Sequence, residues 1–380
     1  MRIIDKFVVY QGEGPALFPG LTRAANGNLL VSFCTTFDCQ AGGEGYLLRS
    51  SDDGRTWRAA AALLRSRNAD GAINLSVGMT RLRDGTILYP CCDARITRKW
   101  DQHDADLIIL RSKDHGNTWT DGTPVSVGMK EPFAYGGIIE LKNGEVLCPI
   151  WGKRTSEEPW RSGVVRSRDG GVTWGECRTI AYDPCAHPVS RPPDQVLLSH
   201  CNVSVLGGKR QNEPEFHCAG FNETSLLELP DGRVVAILRQ QGVDGGRREL
   251  YRCISSDQGR TWSAPTRLDV WGTSPSLHLL PSGVIMLGYR NHLGNPQNLQ
   301  APGVAVSFSQ DAGQTWGDHL MLEDPNGYRY THEFEAGYPA FLTMRDGSIM
   351  VVFYSFDPSR DDRYLAANVL IEQPPVMSNN

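Results

Sequence analysis

Ser50-Ser-Asp-Asp-Gly-Arg-Thr-Trp57 (SSDDGRTW) decides the fold, because the same octapeptide returns four times: Ser112 to Trp119 (SKDHGNTW), Ser167 to Trp174 (SRDGGVTW), Ser255 to Trp262 (SSDQGRTW) and Ser309 to Trp316 (SQDAGQTW). The shared pattern is Ser-x-Asp-x-Gly-x-Thr-Trp. Its chemistry is that of a tight turn: short oxygen-bearing side chains bond nearby amides, glycine supplies positive φ, and tryptophan anchors the strand that follows. Each copy has one fixed aspartate, whereas a calcium loop needs several carboxylates, so the repeat reads as structural.

A second repeat lies between these turns. Asn26-Gly27, Asp84-Gly85, Asn143-Gly144, Asp231-Gly232, Ser282-Gly283 and Asp346-Gly347 each separate two apolar runs, such as Gly137 to Leu141 and Glu145 to Pro149. This pattern predicts a two-residue hairpin turn in each of six units. Hairpin, connection, third strand, Ser-x-Asp turn and fourth strand make one four-stranded blade, and six units predict an all-β, six-bladed β-propeller. The last unit has a third strand, Tyr364 to Glu372, but no Ser-x-Asp turn after it; Ile3 to Tyr10 is expected to pair there and close the ring. The chain is read as one domain over 1–380, with a loop insertion around 175–221 rich in Pro, His and Asn.

Composition excludes several classes. The chain has 380 residues, a formal net charge of -5 and no basic block, so nucleic acid is not an expected partner. No apolar stretch is long enough to span a bilayer. Ten scattered cysteines form no C-x-x-C pair and no zinc spacing, and they read mostly as small buried hydrophobes. With no signal-peptide pattern at Met1, reduced thiols in a cytoplasm are the expected setting. No metal or cofactor is expected.

Topology sorts the remaining residues. The Asn/Asp-Gly and Ser-x-Asp turns share one face, so the other face carries the starts of first strands and the ends of second strands. Those positions hold Phe18, Asn74, Tyr135, Glu223, Ser274 and Tyr338, and then Asp38, Asp93 with Arg95, Trp151 with Arg154, Arg239, Arg290 with His292, and Asp357. Acids, arginines and aromatics converging on one axial mouth make a candidate binding site.

The Ser-x-Asp-x-Gly-x-Thr-Trp turns resemble the Asp-boxes of the sialidase superfamily over nearly the whole chain. Asn222-Glu223-Thr-Ser-Leu-Leu-Glu-Leu-Pro-Asp-Gly-Arg, followed by Arg239, is similar to the sialidase segment with a buried glutamate and the second arginine of a triad. Gly337-Tyr338-Pro-Ala-Phe-Leu-Thr-Met-Arg-Asp-Gly is similar to the segment bearing the nucleophilic tyrosine. The resemblance implies glycosidic cleavage with Tyr338 as nucleophile, Glu223 as its base, Asp38 as general acid with Glu44 as the other candidate, and Arg239 and Arg290 clamping an acidic group. A tyrosine activated by a glutamate avoids the repulsion between an anionic nucleophile and a substrate carboxylate.

The chain departs from the family at Leu17-Phe18-Pro19, where sialidases carry Arg-Ile-Pro, so Phe18 stands in the place of the first clamp arginine. Arg95 or Arg154 is a candidate replacement, and His292 and Trp151 complete the expected substrate contacts. The implied substrate is a terminal sugar, acidic or neutral. Two other readings stay open: a lyase acting on a uronic acid, using Tyr338 or one of His103, His217, His292 and His332 to withdraw a proton, and a non-catalytic glycan-binding propeller. The last expects Tyr338 beyond hydrogen-bond reach of a carboxylate.

Overall fold

A computed structural model describes residues 1–36, 42–68, 71–75, 77–96, 103–155, 158–186, 219–241, 249–291, 303–327, 336–357, 359–360 and 362–372. They form six antiparallel sheets arranged as a six-bladed propeller, with no helix among the described residues. Blade 1 consists of Leu17–Arg23, Leu29–Cys34, Glu44–Ser50 and Arg58–Arg65, from the axis outward. Blade 4 (Gly220–Glu228, Val234–Gln241, Glu249–Ser255, Thr266–Trp271) and blade 5 (Thr273–Leu279, Ile285–Asn291, Gly303–Ser309, Gly317–Met321) repeat this order.

Blades 2 and 3 depart from it near the axis. Their innermost strands are interrupted, as Gly71–Leu75 then Thr80–Arg81 and as Lys130–Ala134 then Ile139–Glu140, each pair lying along one second strand, Ile87–Ile96 and Val146–Lys153 respectively. Blade 3 continues with Arg161–Ser167 and Arg178–Tyr182. In blade 2 the third strand is His103–Ser112, and the fourth place shrinks to a bridge between Ile108 and Pro124, supported by Val125 N–H donating to Leu107 O at 2.8 Å. Pro124 has no amide to give a longer ladder.

The ring closes as the terminal sequences imply. Arg2–Tyr10 pairs antiparallel with Asp362–Ile371, with Phe7 opposite Ala367, and becomes the outer strand of blade 6 beside Ile349–Asp357 and Gly337–Thr343. Apolar residues then pack between blades rather than within them. One cluster joins Leu30, Val31, Tyr89, Met350 and Val352 across blades 6, 1 and 2, and another joins Leu147, Val164, Leu226 and Ala236 across blades 3 and 4. Each fully buried large side chain contributes about 1.5–3 kcal/mol, so the inter-blade seams hold the ring together.

The hairpin turns differ from expectation in one respect. In every unit the residue two before Asn/Asp/Ser both accepts from the glycine N–H and donates to the carbonyl after it, as Ala24 does with Gly27 (2.9 Å) and Asn28 (2.8 Å). The loop therefore has three residues, and only the glycine takes positive φ, 94° at Gly27. This is a type I turn with a bulge, not a two-residue turn. Asn26 contributes its side chain instead: its Oδ1 accepts from Asn28 N–H at 3.1 Å.

Each Ser-x-Asp turn bolts its blade to the preceding one. Within the turn, Ser50 Oγ accepts from Gly54 N–H (2.8 Å), and Asp52 accepts from Thr56 N–H (2.9 Å) and Thr56 hydroxyl (2.6 Å). The Thr56 hydroxyl and amide, with Ser50, hold the Asp52 carboxyl down at about 2. The residue before the glycine is left-handed, as at His115 (φ 65°) and Gln258 (φ 63°), and its carbonyl faces the neighbouring blade. There Arg49 donates to His115 O at 2.8 Å, Arg166 to Gln258 O at 2.6 Å and Arg252 to Ala312 O at 2.9 Å.

Candidate active site

The innermost strands of five blades slip register at their starts: between Leu17 and Gly20, Lys130 and Phe133, Phe221 and Thr224, Thr273 and Ser276, and Gly337 and Ala340. Four of these bulges hold a left-handed residue followed by proline: Phe18 (φ 54°), Glu131 (φ 50°), Ser274 (φ 56°) and Tyr338 (φ 58°). Positive φ in a bulky residue stores strain, and a bulge re-aims its side chain, while the following proline has no ladder donor to lose. The equivalent place in blade 3 is Glu131, not Tyr135 as strand counting implied; the interrupted inner strand of that blade carries Tyr135 four residues further in.

These bulges bring Tyr338 and Glu223 together. The Tyr338 hydroxyl donates to Glu223 Oε1 at 2.8 Å. Glu223 Oε2 accepts from Ser274 N–H at 3.0 Å, has the Ser274 hydroxyl at 3.4 Å, and lies 3.3 Å from Arg239 Nη1 in an ion pair. Both ion-pair side chains are less than a tenth exposed. The Glu223 bulge is itself braced: Thr224 hydroxyl donates to Asn222 O (2.7 Å) and shares a 2.6 Å hydrogen bond with Ser162 of blade 3.

Arg290 completes the group from blade 5. Its guanidinium donates to the Tyr354 hydroxyl and lies 5.3 Å from the Tyr338 ring centre and 5.5 Å from that of Tyr354. Gly337 makes this possible, since a Cβ there would lie 2.5 Å from Arg290 Nη2. Phe18 packs edge-on to Tyr338 with centroids 4.6 Å apart, so the wall that an arginine would make polar is apolar. Among the described residues the group thus holds two guanidiniums and one carboxylate, a set suited to an anionic group.

Sequence reasoning missed one contributor, Tyr354, and misplaced another, Tyr135. Ser274, expected at the mouth, holds Glu223 through its amide, whereas Tyr354 holds Arg290 and nothing in the spacing singled it out. Tyr135, expected at a strand start, reaches Tyr338 from the opposite wall with ring centroids 5.6 Å apart.

Other candidates stand elsewhere. Trp151 is half-buried between Phe133 (4.6 Å) and Trp160 (4.5 Å) in blade 3. Arg154 is exposed, its backbone N–H is bonded to Glu158, and its charge acts on the Cys177 thiol, toward the outer strands. Glu44 accepts from Tyr46 (2.7 Å) and pairs with Arg65 (2.8 Å). Asp93 is buried and accepts from Ser66 (2.6 Å) and Arg67 N–H (2.9 Å). Asp38, His217, His292 and His332 lie outside the described residues, as do the side chains of Asn74, Arg95 and His103 and most of the 175–221 insertion. Among the described residues no cluster of three metal-ligating side chains occurs, and no helix is long and apolar enough to cross a membrane.

Known proteins share this architecture. Residues 97–351 match the BNR repeat-like domain family. A sialidase from Bacteroides fragilis (strain YCH46) is 23% identical over 362 residues, covering 82% of this chain; the chain spans 56% of that relative's length. A Dyadobacter fermentans protein of unknown function superposes with a TM-score of 0.73 at 20% identity, covering 98% of this chain and 99% of its own. The α-L-arabinanase of Penicillium chrysogenum, solved with arabinobiose, superposes with a TM-score of 0.64 at 14% identity, covering 97% and 98%. With its match over two thirds of the sequence and its six blades, the chain belongs to the BNR repeat-like domain family, as a divergent member of the sialidase superfamily.

Proposed function

We propose that the protein is a retaining glycoside hydrolase that removes a terminal sugar through Tyr338. The Tyr338 oxygen attacks the anomeric carbon while its proton passes to Glu223, and Asp38 protonates the departing glycosidic oxygen. Water then gives a proton to Asp38 and attacks the same carbon; the sugar–tyrosine bond breaks, and Glu223 returns its proton to the phenol. Arg239 and Arg290 orient an acidic group of the sugar through charge-assisted hydrogen bonds.

The observation that carries this reading is the 2.8 Å contact from the Tyr338 hydroxyl to Glu223 Oε1. A phenol is a weak nucleophile, and a carboxylate within hydrogen-bond reach is what converts it into a strong one. The contact runs against a purely binding role, for which that separation has no use. Phe18 on the edge of Tyr338 favours a sugar that presents its acidic group toward Arg239 and Arg290 rather than toward blade 1.

Aryl glycosides of sialic, uronic and neutral sugars test the proposal. Turnover of at least one by the wild type, lost in Tyr338→Phe, is the expected result. Turnover unchanged in that variant sinks the mechanism, and unsaturated product from a uronate polymer points to the lyase reading instead.

A further inference from the structure

The Tyr338–Glu223 pair has a neighbour that the proposed chemistry leaves unused. Tyr135 is only 4% exposed, and among the described residues its hydroxyl makes no hydrogen bond of normal geometry, the Ser274 hydroxyl being its polar neighbour. Leaving such a group unsatisfied is costly, and a phenylalanine would fill the same volume without the cost. The residue is nonetheless held firmly in place. A Cβ on Gly136 would lie 2.1 Å from Thr224 O, and one on Gly78 would lie 2.3 Å from the Gly137 Cα, so three inner strands meet at distances only glycine allows. Tyr135 O accepts from Val77 N–H at 3.0 Å, and the ring meets Tyr338 edge-on at 5.6 Å and 65°.

Four groups surround the Tyr135 hydroxyl closely enough to act on its ionisation: Glu223, Arg290, the Ser274 hydroxyl and Arg239. Burial, and then the Glu223 charge, push this phenol well above its usual value, so it stays protonated and remains a donor. A hydroxyl hydrogen turns about its C–O bond without moving the ring.

We propose that Tyr135 is a positioning residue for the Tyr338–Glu223 pair, its buried hydroxyl, held by no bond of normal geometry, serving as a reserve donor that turns toward the negative charge when the proton leaves Tyr338. Donors aimed at charge that develops only during reaction lower the barrier without stabilising the resting state. The inference rests on Tyr338 acting as the nucleophile, but its test does not require a known substrate.

Tyrosine carrying 13C at Cζ in the full-length protein reports the ionisation of Tyr338, whose resonance is identified by its loss in Tyr338→Phe. The groups that face Tyr338 are Glu223, Arg290, Phe18, Tyr354 and Tyr135, and Tyr135→Phe changes only the last. The expected result is a Tyr338 ionisation moved upward by about one pH unit, a tenfold loss of acidity, with an unfolding midpoint unchanged or higher because a poorly satisfied buried hydroxyl is gone. On any substrate found, kcat falls about tenfold with KM held, in line with that shift. A merely structural Tyr135 lowers the midpoint and leaves the titration alone. No difference in Tyr338 between the two proteins, up to the pH at which they unfold, overturns the inference. Absence of glycosidase activity with a shifted titration overturns only the proposed reaction.

Discussion

Tyr338 and Glu223 are 115 residues apart in the chain, and the hydroxyl of one rests 2.8 Å from the carboxylate of the other. Blades 4 and 6 supply them, and blade 5 lies between, contributing Ser274 and Arg290 to the same group. The contact therefore depends on register slips in three separate inner strands. A residue pair assembled in this way acts as a unit, and single changes to it are expected to be non-additive.

Tyr338→Phe and Glu223→Gln should each lower turnover by at least about a hundredfold, the scale of a lost general base, and the double variant should be little worse than either. Steady-state kinetics on the best substrate of the glycoside panel measure this. Multiplying losses would mean that the two residues work separately.

Stability should separate the same two positions. Glu223→Ala leaves Arg239 buried without its carboxylate, and breaking a buried pair costs about 3 kcal/mol or more. Tyr338→Phe removes one hydrogen bond and should cost about 1 kcal/mol. Urea denaturation at neutral pH reads both, and equal losses would contradict the assigned ion pair.

Gly337→Ala should act on Arg290 without touching Tyr338 chemistry directly. Its new Cβ would lie 2.5 Å from the guanidinium, which must then leave the Tyr354 hydroxyl. KM for an acidic sugar should rise about tenfold, the value of one charge-assisted contact. An unchanged KM would mean that Arg290 does not hold the substrate.

The glycine before Tyr338 illustrates what the sequence made legible. Gly337 and Pro339 flank the tyrosine in the written pattern, and the pattern implied the residue but not the reason, which is passage for a guanidinium on one side and a bulge without a lost donor on the other. Repeats with local turn chemistry, such as Ser50 to Trp57, were legible because the bonds that shape the turn are made within a few residues. The partnership of Arg290 with Tyr354 was not, since it depends on how two blades pack. Tyr135 was assigned to a strand start because strand counting assumes an unbroken inner strand, and the one in blade 3 is interrupted.

Acid should destabilise the protein in two stages. His278 is half-buried, with its ring nitrogen 2.9 Å from the Thr343 hydroxyl, and loss of solvent around the ring lowers it from 6.5 to about 4. A base with a depressed folded value contributes stability that is complete above 6.5 and is lost as pH falls toward 4. The Ser-x-Asp carboxyls come later: Asp52 and Asp114, held at about 2 by Thr56 and Thr118, contribute above 3.8 and fail as pH falls through 2. Unfolding midpoints against pH should therefore drop first between 6.5 and 4, and His278→Gln should flatten that limb alone. A first limb that survives the substitution assigns it to another group.

Intact-mass analysis after reaction with a fluorinated, activated glycoside of the best substrate tests the nucleophile most directly. One sugar bound per chain, mapped to the peptide bearing Tyr338 and absent in Tyr338→Phe, is the predicted result. A sugar mapped to Glu223 or any other residue, or product of inverted configuration with no adduct, would contradict the account.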